Sequence, residues 1–185
     1  MRTALLLIDI QHDYFPGGPL ELVGIDGASE NAKELLSFFR QKQWPTFHIQ
    51  HVMISDSAPV FRANTRGVEI HEKVKPLPAD VIIQKHRVNS FLDTPLLEEL
   101  KNAGVARVVI CGAMSHMCID ATTRAAADLG FNCVVIHDAC ATRDLEFQGK
   151  KIPAEAVHRS FMAALGSGYA KVMSLKDYLL DAQTE

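Results

Sequence analysis

The stretch RVVICGAMSHMCIDATTRAAADLG, residues Arg107–Gly130, decides the fold that we predict for this chain. It opens with the β-branched run 108–110, followed by Cys111 and Gly112, which is typical of a strand buried on both faces. A short turn then leads into a helix rich in Ala and Thr that begins near Cys118. The sequence therefore predicts Cys118 at a helix N-terminus, just beyond the carboxyl end of a strand.

That position would change the chemistry of the Cys118 sulfur. Free backbone N–H groups and the positive end of the helix dipole favour an anion there. A thiol pKa of about 8.5 can fall by a unit or more at such a place, and the thiolate is the better nucleophile. The same N–H groups can hold a carbonyl oxygen as it gains charge. The alternative, equally open from this stretch alone, is that Cys118 is a small buried apolar residue.

Length and composition bound the class of protein. A chain of 185 residues suits one domain, spanning 1–185, and 48% hydrophobic with 22% charged residues is ordinary for a globular protein. A net charge of −3 gives no electrostatic argument for binding nucleic acid or an anionic membrane. The N-terminal MRTALLLIDI has a short apolar segment and no small-residue cleavage site, so it is interpreted as a strand and not as a signal peptide. Four cysteines without a C-x-x-C pair favour a reduced, cytoplasmic protein.

Apolar runs and helical spacing alternate along the rest of the chain. Strands are predicted at 3–10, 45–53, 81–84, 105–112, 132–137 and 170–173. Helices are predicted at 28–42, 96–102, from 118 onward, 153–165 and 175–182. The segments 11–26, 54–79 and 138–151 are predicted to be loops, and the length of the second favours a role near a site.

This alternation predicts an α/β protein with a three-layer α/β/α sandwich. Strands that are apolar throughout indicate a mostly parallel six-stranded sheet covered on both faces. With right-handed crossovers and the Rossmann-like order 3-2-1-4-5-6, strands 1 and 4 are neighbours where the strand order reverses. Asp9 ends strand 1 and Cys118 follows strand 4, so this topology would bring a carboxylate and a thiol together.

Asp9 and Lys85 are the candidate partners of the thiol. A charge at the end of an apolar strand is costly unless it is paired, so Asp9 is interpreted as a general base of raised pKa that takes the proton of Cys118. The alternative is an aspartate that caps a turn or a helix. Lys85 ends strand 3 on the same edge, although its side chain must then cross strand 2, a distance of roughly 10 Å. The alternative for Lys85 is a surface lysine whose stem covers apolar groups.

The histidines and glycines give weaker signals. His116, two residues from Cys118, is better placed to line a pocket than to act as its base. His48, His51 and His71 raise the question of a metal site, but no carboxylate accompanies the first two and H-E-x-x-H is absent, so we expect no metal. The Gly17–Gly18 loop matches neither dinucleotide nor P-loop motifs, so we expect no cofactor.

Three segments, LLLIDIQHDYF, KHRVNSF and CGAMSHMCIDATTRAAADLGF, resemble the isochorismatase-like cysteine hydrolases. By this resemblance the Asp–Lys–Cys triad of the family falls on Asp9, Lys85 and Cys118. Its oxyanion hole falls on the N–H groups of Met114 and Cys118, and its non-proline cis peptide on Ala113–Met114.

The resemblance also implies pocket residues and an oligomer. Tyr14 takes the place of an aromatic pocket residue, with Phe91 as a second wall and His116 beside them. Members of the family are generally homo-oligomers, so a dimer or tetramer is expected.

Two departures from the family narrow the expected activity. Nicotinamidases carry an Asp-x-His metal motif where this chain has Ile49, Gln50 and His51, which argues against that activity. Isochorismatases proper, which cleave a vinyl ether, lack the nucleophilic cysteine that this chain has in Cys118. The resemblance thus implies an amidohydrolase that cleaves a C–N bond of a small amide or carbamoyl compound through a thioester. Two alternatives remain: a non-catalytic member that binds a metabolite or serves in an assembly, and a vinyl-ether hydrolase.

Overall fold

The computed structural model describes residues 2–78 and 80–183. Eight strands and five α-helices follow one another along these residues. The strands are β1 (Thr3–Ile8), β2 (Thr46–His51), β3 (Val81–Lys85), β4 (Arg107–Ala113), β5 (Asn132–Ala141), β6 (Leu145–Phe147), β7 (Lys150–Ile152) and β8 (Lys171–Met173). The helices are α1 (Ile25–Gln41), α2 (Leu96–Asn102), α3 (Asp120–Asp128), α4 (Ala154–Gly166) and α5 (Leu175–Ala182).

Six strands form one sheet in the order β3-β2-β1-β4-β5-β8, and each neighbouring pair is parallel. Because β8 is the sixth strand of this sheet along the chain, the predicted order 3-2-1-4-5-6 is confirmed. The point at which the order reverses lies between β1 and β4, where Leu5 pairs with Val109 and Ile8 with Gly112. The carboxyl ends of these two central strands therefore lie side by side.

Both faces of the sheet are buried, as the continuous apolar strands predict. Leu5 and Leu7 of β1 pack with α1 and α5 on one face, whereas Leu6 and Ile8 pack with α2, α3 and α4 on the other. Two hydrophobic cores thus sandwich one sheet, which confirms the three-layer α/β/α architecture. None of the helices in the described residues has the length and apolar character needed to cross a membrane.

The prediction that residues 138–151 form a loop is wrong in part. Strand β5 continues to Ala141, and the antiparallel pair β6–β7 follows it. Gln148 and Gly149 connect the two strands, and both have positive φ, of 51° and 72°. Such a two-residue connection matches the natural twist of a hairpin, so the pair forms although each strand has only three residues. The predicted loop 54–79 contains two single-turn 3₁₀ helices, at Arg66–Val68 and Glu72–Val74, while Ala79 lies outside the described residues.

Gly112 allows β1 and β4 to approach closely at the edge that carries the functional residues. Its φ is +124°, and a Cβ at this position would lie 2.0 Å from the carbonyl oxygen of Ile8. Any side chain would therefore push β4 away from β1 or distort the strand, and an L-residue would be strained there in any case. This backbone contact consequently fixes the distance between the two residues that follow these strands, Asp9 and Met114.

Candidate active site

Four neighbouring strand ends place the candidate functional side chains at one edge of the sheet. Asp9 follows β1 directly, His51 ends β2 and Lys85 ends β3. Cys118 lies in a π-helical turn, Ser115–Ile119, between β4 and α3. Asp9 itself has a φ of +52°, a left-handed conformation that Asp tolerates better than most residues, and it ends the strand here.

The structure brings Asp9, Lys85 and Cys118 into direct contact. The Lys85 Nζ atom lies 2.9 Å from Asp9 Oδ2 and donates a hydrogen bond of 3.1 Å to Cys118 Sγ. The exposed fractions of Asp9, Lys85 and Cys118 are 0%, 0% and 3%. The carboxylate, the ammonium and the thiol that were predicted to converge therefore form one buried cluster.

The Lys85 side chain extends across strand β2. The distance that this requires was the geometric objection to its role. Its Nζ atom lies 3.4 Å from Nδ1 of His51 and donates a hydrogen bond of 3.0 Å to the carbonyl oxygen of Arg87. The ammonium is thus surrounded by acceptors and fixed in place. A four-carbon stem is long enough to join the outer strand β3 to the central strands.

Burial and pairing set the protonation state of the cluster. Burial raises the pKa of the Cys118 thiol well above its ordinary value, and the neighbouring Asp9 carboxylate raises it further, against the opposing effect of Lys85. For Asp9, burial raises the pKa, but Lys85 and His51 outweigh it and the pKa is lowered. For Lys85, burial lowers the pKa, yet Asp9 and Cys118 leave it raised. The resting cluster therefore contains a carboxylate, an ammonium and a neutral thiol.

This charge state corrects two expectations from the sequence. Cys118 was expected to have a lowered pKa and Asp9 a raised one, and both directions are reversed. The helix N-terminus was correctly located, but its dipole acts on a sulfur that has lost its contact with water and faces a carboxylate. The single ammonium stabilises the negative charge on Asp9 first, because the carboxyl group is the stronger acid.

The turn around Cys118 exposes backbone N–H groups. The Ala113–Met114 peptide is cis, as the family resemblance implied. The carbonyl oxygen of Met114 accepts hydrogen bonds from the N–H groups of Met117 and Ile119, and the Met114 N–H donates to none of the described residues. The N–H of Cys118 donates to no backbone group outside this turn among the described residues. The N–H groups of Met114 and Cys118 are therefore candidates for the predicted oxyanion hole, which stays a prediction.

A buried serine in this turn forms hydrogen bonds with a histidine of α4 and with the backbone of β5. The Oγ atom of Ser115 lies 2.8 Å from Nδ1 of His158 on α4 and donates to the carbonyl oxygen of Ala141 at 3.3 Å. Ser115 is completely buried. These contacts attach the turn that carries Cys118 to α4 and to β5.

Gln11 is a site residue that the sequence analysis did not identify. It is completely buried, and its side-chain amide bonds both backbone groups of His51, with the N–H donating to Oε1 at 2.8 Å and the carbonyl accepting from Nε2 at 2.9 Å. Nε2 also donates to the carbonyl oxygen of Val68 at 2.8 Å. Gln11 therefore joins the end of β2 to the loop that follows it.

Asp13 is a second residue that the sequence analysis did not identify. It contacts the same loop after β2. Its carboxylate accepts a hydrogen bond from the N–H of Phe61, and a Cβ at Gly67 would lie 1.8 Å from its Oδ1. Polar residues at alternate positions directly after an apolar strand (Asp9, Gln11 and Asp13) were the signal that could have revealed both.

Aromatic rings cover one side of the cluster. Phe61 stacks on His51 with 5.5 Å between ring centroids, and Tyr14 meets Phe61 edge-on at 4.8 Å. Burial raises the pKa of Tyr14, and the negative charge of Asp9 raises it further. Its position agrees with the predicted pocket role, which stays a prediction.

The other two predicted pocket residues lie in different surroundings. His116 is half-buried, and its Nδ1 lies 2.6 Å from the hydroxyl oxygen of Thr142. Phe91 stacks on Phe131 at 6.2 Å between centroids, and Phe131 precedes β5 at the opposite edge of the sheet. Phe91 is partly buried and packs against the hydrophobic core that also contains Cys118, and its pocket role also stays a prediction.

Two groups of the described residues have the donor types of a metal site. One consists of Asp9, His51 and Cys118, but the Lys85 ammonium already lies between these ligands and repels a cation. The other consists of His12, His71 and Glu72. There Nδ1 of His71 accepts from the Lys73 N–H, which leaves the ring proton on Nε2, the atom nearest Glu72.

His48 belongs to neither group, and its Nε2 atom lies 3.2 Å from Asp80. The expectation of no metal stays a prediction.

Comparisons with known proteins show what the chain is similar to. The family model described as Isochorismatase domain matches residues 3–173. An uncharacterized isochorismatase family protein of Bacillus subtilis, YddQ, is 50% identical over 179 residues, which cover 97% of this chain and 99% of that protein. A streptothricin hydrolase of Streptomyces noursei is 33% identical over 168 residues, covering 88% of this chain and 65% of that enzyme.

The fold is shared with solved structures at similar coverage. An isochorismatase from Pseudomonas putida KT2440 superposes with a TM-score of 0.91 at 33% identity, covering 95% of this chain and 89% of that chain.

Proposed function

The chain belongs to the isochorismatase family of hydrolases, and on this premise we propose that it cleaves the C–N bond of a small amide or carbamoyl compound through Cys118. The observation that carries the proposal is the position of the Lys85 ammonium, 2.9 Å from Asp9 and 3.1 Å from the Cys118 sulfur. A nucleophile beside a base that a third group orients is the arrangement that covalent catalysis requires. The name of the relative from Streptomyces noursei, a hydrolase of streptothricin, is consistent with hydrolysis in this family.

The charge state of the cluster defines the first half of the reaction. Cys118 rests as a thiol, so its proton passes to the Asp9 carboxylate as the sulfur attacks the carbonyl carbon. The C–S bond forms, and the carbonyl oxygen takes the negative charge next to the N–H groups of Met114 and Cys118. Lys85 remains an ammonium throughout and stabilises whichever of Asp9 and Cys118 is negative.

The second half returns the site to its starting state. Asp9 gives its proton to the leaving nitrogen, the C–N bond breaks, and ammonia or an amine departs from a thioester. Asp9 then accepts a proton from water as the water oxygen attacks the thioester. The C–S bond breaks, the acid is released, and the proton returns to the sulfur of Cys118.

The proposal is tested by screening small primary amides, ureas and carbamoyl compounds for ammonia release. We expect at least one compound to be hydrolysed, and the rate to be unchanged by EDTA because no proposed step uses a metal. Isochorismate is included with a pyruvate assay, since pyruvate is released when its vinyl ether is cleaved. Pyruvate release without any ammonia release would instead support the vinyl-ether hydrolase. Neither product from any compound would favour a non-catalytic role.

The pH dependence of the reaction provides a second test. The pKa of Asp9 is lowered, that of Lys85 is raised and that of Cys118 is raised, so none of the three changes its charge between about pH 7 and pH 9. We therefore expect kcat/KM to vary by less than about twofold over this range. An activity that rises through a midpoint near pH 8 would show that the thiolate forms before attack, contrary to the proposal.

A further inference from the structure

His51 contacts the Asp9–Lys85 pair from strand β2. The register of the sheet places it opposite Lys85, and its Nδ1 atom lies 3.4 Å from Lys85 Nζ and 3.7 Å from Asp9 Oδ2. A ring nitrogen of His51, an Asp9 oxygen and the Cys118 sulfur also lie within 4.8 Å of one another. The imidazole ring thus borders both the base and the nucleophile, although neither half of the proposed reaction uses it.

Contacts with Gln11 and Phe61 fix the position of the His51 ring. The Gln11 amide bonds both backbone groups of His51, at 2.8 Å and 2.9 Å. The Phe61 ring stacks on the imidazole with 5.5 Å between the ring centroids, and only 12% of the His51 side chain is exposed. A ring that is held in this way loses little freedom when it binds a small molecule, so it is suited to orient a reactant.

Two buried polar atoms of this cluster, Nε2 of His51 and Oδ1 of Asp9, form no hydrogen bond with the residues that the structure describes. Buried polar atoms in proteins are hydrogen-bonded in all but a few cases. Both residues face Lys85 through their other polar atom, Nδ1 of His51 and Oδ2 of Asp9. Nε2 and Oδ1 are therefore left for a molecule that takes part in the reaction.

Water is the reactant whose hydrogen bonds fit both atoms. The Asp9 carboxylate only accepts hydrogen bonds, whereas Nε2 of a neutral imidazole donates or accepts according to the tautomer. A water molecule can donate to Asp9 and satisfy the His51 ring in either tautomer. One water also spans polar atoms up to about 5 Å apart with two hydrogen bonds of ordinary length. The 4.8 Å limit on the separation of the His51 nitrogen from Asp9 and Cys118 lies within this reach.

We propose that His51, together with Asp9, holds the water molecule that hydrolyses the thioester. This inference rests on the proposed function, because it assigns a positioning residue to the second half of the same reaction. The water gives one proton to Asp9 as its oxygen bonds to the carbonyl carbon. The C–S bond breaks, and the proton passes from Asp9 to the Cys118 sulfur. His51 orients the water and neither gains nor loses a proton over the reaction.

An activated ester, p-nitrophenyl acetate, tests this role without an amide substrate. The Cys118 sulfur attacks the ester carbonyl, a C–S bond forms, the ester C–O bond breaks and p-nitrophenolate departs, while the thiol proton passes to Asp9 and then to solvent. The absorbance of p-nitrophenolate measures acylation, with Cys118→Ala as the blank. Excess reagent is then removed, and mass spectrometry of the intact protein follows the decay of acetyl-Cys118, which measures the attack by water.

In His51→Leu we expect the acetyl-enzyme to decay about 100-fold more slowly than in the wild type, while the acylation rate changes by less than about threefold. His51→Gln keeps an amide near the place of Nε2, so its decay should be only about tenfold slower. His48→Gln is the matched control, because His48 is a buried histidine of the same strand that contacts Asp80 and not the cluster. Both of its rates should equal those of the wild type.

Equal decay of acetyl-Cys118 in the wild type and in His51→Leu would overturn the role of His51. Equal slowing of acylation and decay would also overturn it, because a purely structural role affects both steps alike, and so would a failure of Cys118 to be acylated. Slower decay in the His51 variants of a protein that hydrolyses no amide would retain this role and contradict the proposed function. Hydrolysis of amides with a decay that does not depend on His51 would do the reverse.

Discussion

Replacing Cys118 by Ala is expected to reduce kcat/KM by a factor of about 10⁴ or more, since the bond-forming atom is removed. The same change should alter the free energy of unfolding by only about 1 kcal/mol, because one buried sulfur atom is lost and the remaining cavity is small. Activity is measured by ammonia release on a compound identified by the screen, and stability by urea unfolding. Cys118→Ser tests the same step, since a hydroxyl can still accept from Lys85 but is a much weaker nucleophile without a strong base.

Cys133→Ala is the matched control for this prediction. Cys133 is also a buried free cysteine, but it lies near the amino end of β5, away from the edge that carries the cluster. We expect this variant to keep kcat/KM within about twofold of the wild type, because it changes only packing. Full activity in Cys118→Ala, or an equal loss in both variants, would contradict a nucleophilic role for Cys118.

Replacing Lys85 by Met is expected to lower the free energy of unfolding by about 3 kcal/mol and to abolish activity, because it leaves the buried Asp9 carboxylate without its cation. The wild-type pair has no exposed surface on either side chain, so water cannot stabilise the charge that remains. With Lys85 gone, burial is expected to raise the pKa of Asp9. The stability loss should therefore be greatest at neutral pH and smaller at pH values where Asp9 is protonated.

The double variant Lys85→Met/Asp9→Asn separates stability from catalysis. Removing both charges eliminates the buried unpaired carboxylate, and Asn tolerates the positive φ at position 9. We expect it to recover at least half of the stability lost in Lys85→Met, while activity stays absent because no base remains. Lys33→Met is the control, since Lys33 is an exposed lysine paired with Glu30 and should change stability by less than about 0.5 kcal/mol. A double variant as unstable as Lys85→Met alone would contradict the pairing argument.

The placement of the site could be predicted from the sequence because it depends on topology. Apolar strands that alternate with helices define the strand order, and that order alone makes the ends of β1 and β4 neighbours. Asp9 and Cys118 followed from this argument. Lys85 needed the family resemblance as well, since spacing gave no reason for its side chain to cross β2 instead of turning to solvent.

The protonation states could not be predicted, because they depend on how completely the side chains are buried. A helix N-terminus lowers the pKa of a thiol in water, but Cys118 is almost inaccessible and competes with Asp9 for one ammonium. The roles of Gln11 and Asp13 depend on long-range contacts with the loop that contains Phe61 and Val68. Local patterns do not specify such contacts.

Gly112 has a consequence for how the enzyme tolerates sequence change. Backbone atoms of β1 and β4 meet there directly, so the spacing between the residues that follow them is set by peptide groups and not by the volume of neighbouring side chains. We expect substitutions in either hydrophobic core to leave the distance between Asp9 and the turn that carries Cys118 unchanged. The alignment of Asp9 with Cys118 should therefore tolerate changes in the interior far better than a side chain at position 112.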